Sequence, residues 1–420
     1  MTPSTLTFTL LTGVAVLWLP LQSAAWAGDS QWDAQQCLRE AESMQNAAGT
    51  AEGQAGVLGV LMDRNAEVSR RTLAAITLGT SKNLRWLEPL MSVARDEQED
   101  VTVRSCAIKA LADMGAHQAA PLLIELASTG AKKIKWTRQK EVMHGLVRKA
   151  ALEALGCLQT PEGVELLLSV VSDPAWGQDF KYAAITGLGP VDDPRARSAI
   201  AAALTDKDSA MRNTAALAAG KQGSPELLKG LQSTVADGDR FVRLSAAQSL
   251  AERKDATGVD TLVEELRADW VCLSAATALR RLGWSPRNEA ERVYYLAAEG
   301  KWSELRQDWA AARRVLFPDL TSPNRDVRVH AVHLLLALGN EEAVPELRRW
   351  LSSSKDDGIA LEFLNSGHPE LQRAARGWAP RHGMKVKRQK SPSTSGNDFG
   401  WGRPAWQDFS APRVPPESSR

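Results

Sequence analysis

The amino-acid sequence predicts an all-α protein, an α-α superhelix of about nine helix pairs. Three observations carry that reading. One segment recurs along the chain, as NAEVSRRTLAAITLG (65–79), EDVTVRSCAIKALADMG (99–115), GLVRKAALEALGCLQT (145–160), DKDSAMRNTAALAAGKQG (206–223), DGDRFVRLSAAQSLAERKD (237–255) and NRDVRVHAVHLLLALGN (324–340). Its apolar residues fall at helical spacing. A residue type that opens helices precedes most copies.

The register is set by the apolar residue that opens each copy: Val68, Val103, Val147, Phe180, Met211, Val242, Val271 and Val327. Four positions on stand Thr72, Ala107, Ala151, Ala184, Ala215, Ala246, Ala275 and Ala331, and eight positions on Ile76, Leu111, Leu155, Leu188, Ala219, Leu250, Leu279 and Leu335. Spacings of this kind put both sets on one stripe of an α-helix. The stripe is rich in alanine, so it suits close approach to a neighbouring helix. Three residues before the opening position stand Asn65, Asp100, Asp208, Asp239 and Asn324, types whose side-chain oxygen accepts from a bare amide of the first turn.

Upstream of each cap lies a second apolar-periodic segment, such as LEPLMSVARD (87–96), PELLKGLQSTVAD (225–237) or GVDTLVEELRAD (258–269). Pro161, Pro225 and Pro345 stand at or near the starts of three of them, where a missing N–H costs least. Each unit is therefore a helix, a tight turn and a second helix, unable to seal its own apolar face and obliged to stack on its neighbours. The residue after the opening position is Arg104, Arg148, Lys181, Arg212, Arg243 or Arg328, with Ser69 and Cys272 as exceptions. Stacking is expected to line these cations up near successive turn acids as a ladder between repeats, with a row of partner-binding side chains as the alternative.

The remaining segments take their places around this array. Residues 1–27 read as a secretory signal peptide, with an apolar run from Leu6 to Leu21 and Ala25-Trp26-Ala27 as the cleavage signature after Ala27, although no Lys or Arg precedes Arg39. Residues 28–52 read as an amphipathic capping helix, and residues 53–366 as the array, with insertions near 129–146 and 284–316. The first insertion sets five cations around Trp136; the second holds Trp284, Tyr294, Tyr295, Trp302 and Trp309, expected to pack an extra helix pair. Residues 367–386 read as a C-terminal capping helix. Residues 387–420 are rich in Pro, Gly and Ser without apolar period and are expected to be a disordered tail. Residues 380–420 carry eight Lys/Arg against three Asp/Glu, so the net charge of +1 hides an acidic body and a basic tail. A nucleic-acid partner would need the reverse, a basic stripe over the folded part.

The pattern D-x-x-V-R-x-x-A-A-x-x-L after an apolar helix resembles HEAT repeats of the phycobilisome-lyase type. The resemblance covers residues 50 to 366 and implies an α-solenoid of antiparallel helix pairs. RLGWSPRNEAERVYYLAAEGKWSEL (281–305) is similar to an insertion that recurs in bacterial HEAT-repeat proteins, and 359–386 is similar to their terminal capping helices. Repeat identity speaks to fold far more than to function.

Chemistry is searched for and not found. The HEAT-like group includes an iron-dependent hydroxylase that holds its metal by His-Glu pairs, but none of His117, His144, His330, His333, His368 and His382 is followed by Glu. The nearest approach to a metal cluster is Asp326, His330 and His333 on one helix face. His330 takes the small packing position that Cys106 and Ala150 hold elsewhere, which favours a structural place. GLGP at 187–190 is followed by no Lys-Ser/Thr, and no Gly-x-Ser-x-Gly elbow occurs. Cys37, Cys106, Cys157 and Cys272 show no metal spacing; Cys106 reads as a buried inert thiol, with an oxidised pair as the alternative.

The expected function is a non-catalytic exported scaffold, periplasmic or extracellular, monomeric and without cofactor. Its concave surface, lined by the second helices, is expected to hold a protein or peptide partner, with no nucleic acid and no transmembrane span after signal cleavage. The alternative, implied by the phycobilisome-lyase resemblance, is a lyase-like or chaperone-like factor acting on a cofactor-bearing protein.

Overall fold

The computed structural model describes residues 40, 43–47, 49–128, 138–268, 272–354 and 356–382, with the backbone alone at 51 and 138–143. The signal peptide 1–27, most of the 28–52 cap with Cys37, the 129–137 part of the first insertion, Val271 and the 387–420 tail lie outside the described residues. Every described element is a helix, and no strand occurs among the described residues. The chain divides into two units, one up to Ser245 and one from Ala246 to Ala411.

In the first unit the elements alternate strictly between first and second helices of a pair. They run α1 (Ala51–Met62), α2 (Val68–Thr80), α3 (Leu87–Arg95), α4 (Val101–Asp113), α5 (Ala120–Ser128), α6 (Arg138–Leu158), α7 (Pro161–Ser172), α8 (Gln178–Leu188), α9 (Pro194–Ala203), α10 (Ser209–Gln222), α11 (Pro225–Thr234) and α12 (Arg240–Glu252), the last crossing into the second unit. The second begins again with α13 (Val259–Glu265) and α14 (Cys272–Arg281). The aromatic insertion then supplies three helices where one extra pair was expected: α15 (Glu289–Ala298), α16 (Trp302–Gln307) and α17 (Trp309–Asp319). The array closes with α18 (Arg325–Leu338), α19 (Val344–Ser353), α20 (Asp357–Asn365) and α21 (Pro369–Trp378).

Four of the five expected caps do that work. Asp100 accepts from the amides of Thr102 and Val103, Asp208 from Ala210, Asp239 from Phe241 and Val242, and Asn324 from Asp326. Asn65 does not: α2 starts at Val68 with Glu67 in the cap position, and the Asn65 amide instead donates to the Asp63 carboxylate. The reason is turn length. In the turns at Asp63, Asp96 and Asp173 the carboxylate takes the amide two residues on, and the helix opens after the fourth residue beyond it, Glu67, Asp100 and Gly177. In the turns at Asp206 and Asp237 the residue whose amide donates that bond, Asp208 or Asp239, is itself the cap.

The first copy is consequently displaced by two residues from the register read off the sequence. Val68 is 38% exposed and Ile76 half-buried, whereas Ala74, Ala75 and Leu78 are fully buried. In the other described copies the alanine and leucine columns fall on the buried stripe as expected.

That stripe lets second helices meet at backbone distance. An ideal Cβ on Gly156 of α6 would lie 1.7 Å from the Gly187 carbonyl oxygen of α8, and one on Gly79 of α2 would lie 2.6 Å from the Cα of Ala110 in α4. The first helices touch one another far less. Stacking that is tight on one side and loose on the other bends the first unit, with the second helices on the inside of the curve.

The insertion is held by a buried tyrosine. Tyr294 is 1% exposed and donates to Asp319 at 2.6 Å, a carboxylate that Arg267 also engages. Trp302 is buried, and Trp284 meets Tyr295 edge-on at 5.4 Å. Tyr294→Phe keeps the ring and removes the donor, so it is expected to destabilise the second unit by about 1.5–3 kcal/mol in urea unfolding, the range for a hydrogen bond to a charged group.

Candidate functional site

The cations after the opening position divide into two classes that follow the turn lengths. Arg104, beyond a longer turn, and Arg148, beyond the first insertion, donate from Nε to Ala94 and Ala127, each the penultimate carbonyl of the first helix of its own pair, at 3.1 and 3.0 Å. Arg71, which the slipped register hid, makes the same bond to Leu61 at 2.9 Å. In the shorter turns Arg212, Arg243 and Arg328 each donate from one terminal nitrogen to two successive turn carbonyls, Asp206 and Lys207, Asp237 and Gly238, and Ser322 and Pro323. These carbonyls lie at or just beyond helix ends, where no intrahelical partner is available. The row is therefore first a set of staples within each pair, and among the described residues only Arg212 of its six cations also makes the expected link between repeats, to the turn acid Asp237. Lys181 makes neither bond among the described residues.

The other rungs of a ladder are made by side chains outside the row. Arg71 forms a two-point bond with Glu99 of the next pair at 2.8 and 2.5 Å, with both side chains buried. Lys149 reaches Asp179 and Tyr182 donates to Asp208. Asp100 and Asp239 serve as caps, and Asp208 both caps α10 and joins the ladder. The hydrogen bond from Arg212 holds the Asp237 carboxyl below its ordinary range, against the opposing effect of burial. A lowered value means stability present above the unfolded-state pKa and lost on acidification. The melting-temperature gap between wild type and Asp237→Asn is thus expected to be open at neutral pH and to close below about pH 4, the ordinary aspartate range.

The face left to solvent by the second helices of the first unit is a stripe of mixed charge and apolar groups. Lys109 and Asp113 of α4, Lys149, Glu153 and Cys157 of α6, and Leu217 and Lys221 of α10 stand on it, with Leu146 and Phe241 exposed beside them. Glu153, Asp113 and Cys157 reach solvent, yet each is pushed up in pKa first of all by burial. Lys221, Lys109 and Lys149 pull Glu153 back toward its charged form. Lys221 lies two pairs away, so the inward curve brings its charge to bear on α6.

The candidate metal ligands do not assemble. His330 is fully buried, its ring centroid 5.3 Å from that of Tyr294, and His333 one turn on faces Glu362 at 3.1 Å. Asp326 sits in the first turn of α18. Among the described residues no three His, Cys, Asp or Glu side chains lie where they could hold a metal ion. Cys106 and Cys272 are buried and Cys157 exposed, all as free thiols, and burial drives the Cys106 thiol up to about 12.

A family model described as HEAT repeats matches residues 57–139 and 177–251, so these helix pairs are HEAT repeats. No curated protein matches the chain in sequence. Among solved structures, human deoxyhypusine hydroxylase in complex with glycerol is 16% identical, over 66% of this chain and 98% of its own, at a TM-score of 0.30. The YibA protein of Escherichia coli is 15% identical, over 70% and 95%, at a TM-score of 0.34. An engineered protein is 18% identical, over 86% and 98%, at a TM-score of 0.29. No described helix is long and apolar enough to cross a membrane.

Proposed function

We propose that the chain is a non-catalytic HEAT-repeat scaffold of the phycobilisome-lyase type, exported to the cell envelope as a monomer, whose second-helix face in the first unit holds a protein or peptide segment. One observation carries the reading: that face keeps Leu146, Leu217 and Phe241 exposed beside lysines and carboxylates. Exposed apolar side chains within a charged frame mark interaction sites.

The test is photo-crosslinking in cells from Leu217, with Ser169 on the first helix α7 as the control position. A reproducible adduct from Leu217, absent from Ser169 and lost on Lys221→Glu, is the expected result. No adduct from either position, or the same adduct from both, counts against the reading. N-terminal sequencing of the exported protein is expected to begin at Gly28.

A further inference from the structure

Side chains on the second-helix face of the first unit follow the repeat. Lys109 of α4, Glu153 of α6 and Leu217 of α10 stand five residues after the cation of their copies, and Asp113, Cys157 and Lys221 nine residues after it. Successive second helices pack on one another, so the two columns run side by side across the face. Between α6 and α10 lies α8, which places Thr186 in the first column and, just past its end, Pro190 in the second, both half-buried. A segment crossing α8 there passes over short uncharged side chains, with Glu153 on one side and Leu217 and Lys221 on the other.

The charges around this crossing are unequal. Lys221, Lys109 and Lys149 all bear on Glu153, and Lys109 and Lys82 on Asp113. Four lysines thus stand about two carboxylates. Asp179 engages Lys149 at 2.7 Å, which still leaves three cations to two anions. Cys157 adds no charge, since burial first of all pushes its thiol up. Burial also pushes Asp113 and Glu153 up, so each takes a proton more readily than an ordinary carboxylate and opposes an incoming anion less. Complementarity of charge selects a partner of the opposite sign.

We propose, resting on the reading that this face holds the partner, that the segment is acidic and crosses α8 with its carboxylates toward Lys109 and Lys221. Leu217 beside Lys221 gives it an apolar contact. Glu153 stands in its path as a like charge, so removing that carboxylate strengthens binding. Six extended residues span about 20 Å, which matches two helix spacings of about 8–10 Å, from α6 to α10.

Calorimetric titration of the full chain with hexaglutamate, and with hexalysine at the same ionic strength and pH 7.5, tests the assignment. Hexaglutamate is expected to bind and hexalysine not. Lys221→Glu is expected to weaken hexaglutamate about tenfold and Glu153→Gln to strengthen it about threefold, the scale of exposed charge pairs. Lys229→Glu on the first helix α11 is expected to leave it within about twofold. A gain of binding in Glu153→Gln is not something a damaged fold produces. Tighter binding of hexalysine, no heat from hexaglutamate at millimolar concentration, no gain in Glu153→Gln, or equal losses from Lys221→Glu and Lys229→Glu overturns the proposal. With the Leu217 adduct intact, any of these outcomes removes only the acidic chemistry of the segment, whereas an absent adduct removes the binding surface itself.

Discussion

Gly156→Leu is expected to destabilise the first unit by about 3 kcal/mol or more, the upper end for overpacking, and Gly156→Ala by a smaller amount in the same direction. The Cβ alone would stand 1.7 Å from the Gly187 carbonyl oxygen, where ordinary contacts lie at 3.4–4 Å. The atom met is backbone, so no rotamer change relieves it and α6 and α8 must part. Alanine in a helix is worth up to about 1 kcal/mol over glycine, which is too little to offset a lost seam. Urea unfolding followed by circular dichroism reads the effect. Gly56→Ala serves as the control, because a Cβ there meets nothing within 4 Å, and it is expected to be neutral or stabilising.

Arg71→Met is expected to cost about 3–5 kcal/mol, the range for breaking one side of a buried ion pair. Arg71 and Glu99 are 5% and 6% exposed, and the guanidinium also satisfies the Leu61 carbonyl. Methionine fills much of the space but leaves a buried carboxylate and a helix-end carbonyl without their donor. By contrast Arg195→Ala, which breaks the pair with Glu165 between two side chains more than half exposed, is expected to leave the unfolding midpoint unchanged.

Much of the fold is legible in the sequence because the repeat signals its own packing. The alanine column marks the seams, and four cap residues fix where second helices open. Arg71 is hidden in the sequence because its turn is of the longer kind and ends at Glu67, a residue outside the preferred cap types, so the cap signal at Asn65 aligns Val68 with Val103. The signal was present: Arg71, Ala74, Ala75 and Leu78 repeat the R-x-x-A-A-x-x-L spacing of the other copies. The destination of the arginines was not legible, since turn length decides whether a guanidinium meets a helix-end carbonyl or a turn carbonyl. Nor was the influence of Lys221 on Glu153, which arises from curvature summed over two pairs. His330 was readable as a packing residue from its column alone, whereas the pairing of His333 with Glu362 depends on how α20 crosses α18.

The most direct measurement is a double-mutant cycle on Arg71 and Glu99, with Arg71→Met, Glu99→Leu and the pair unfolded in urea. The two residues sit on successive helix pairs, so their coupling reports whether those pairs stack in the register described. A coupling of about 2–3 kcal/mol, with the double variant losing that much less than the sum of the two single losses, is the predicted result. Additive losses would mean that the side chains do not meet, and the stacking on which both the seam and the second-helix face depend would be wrong.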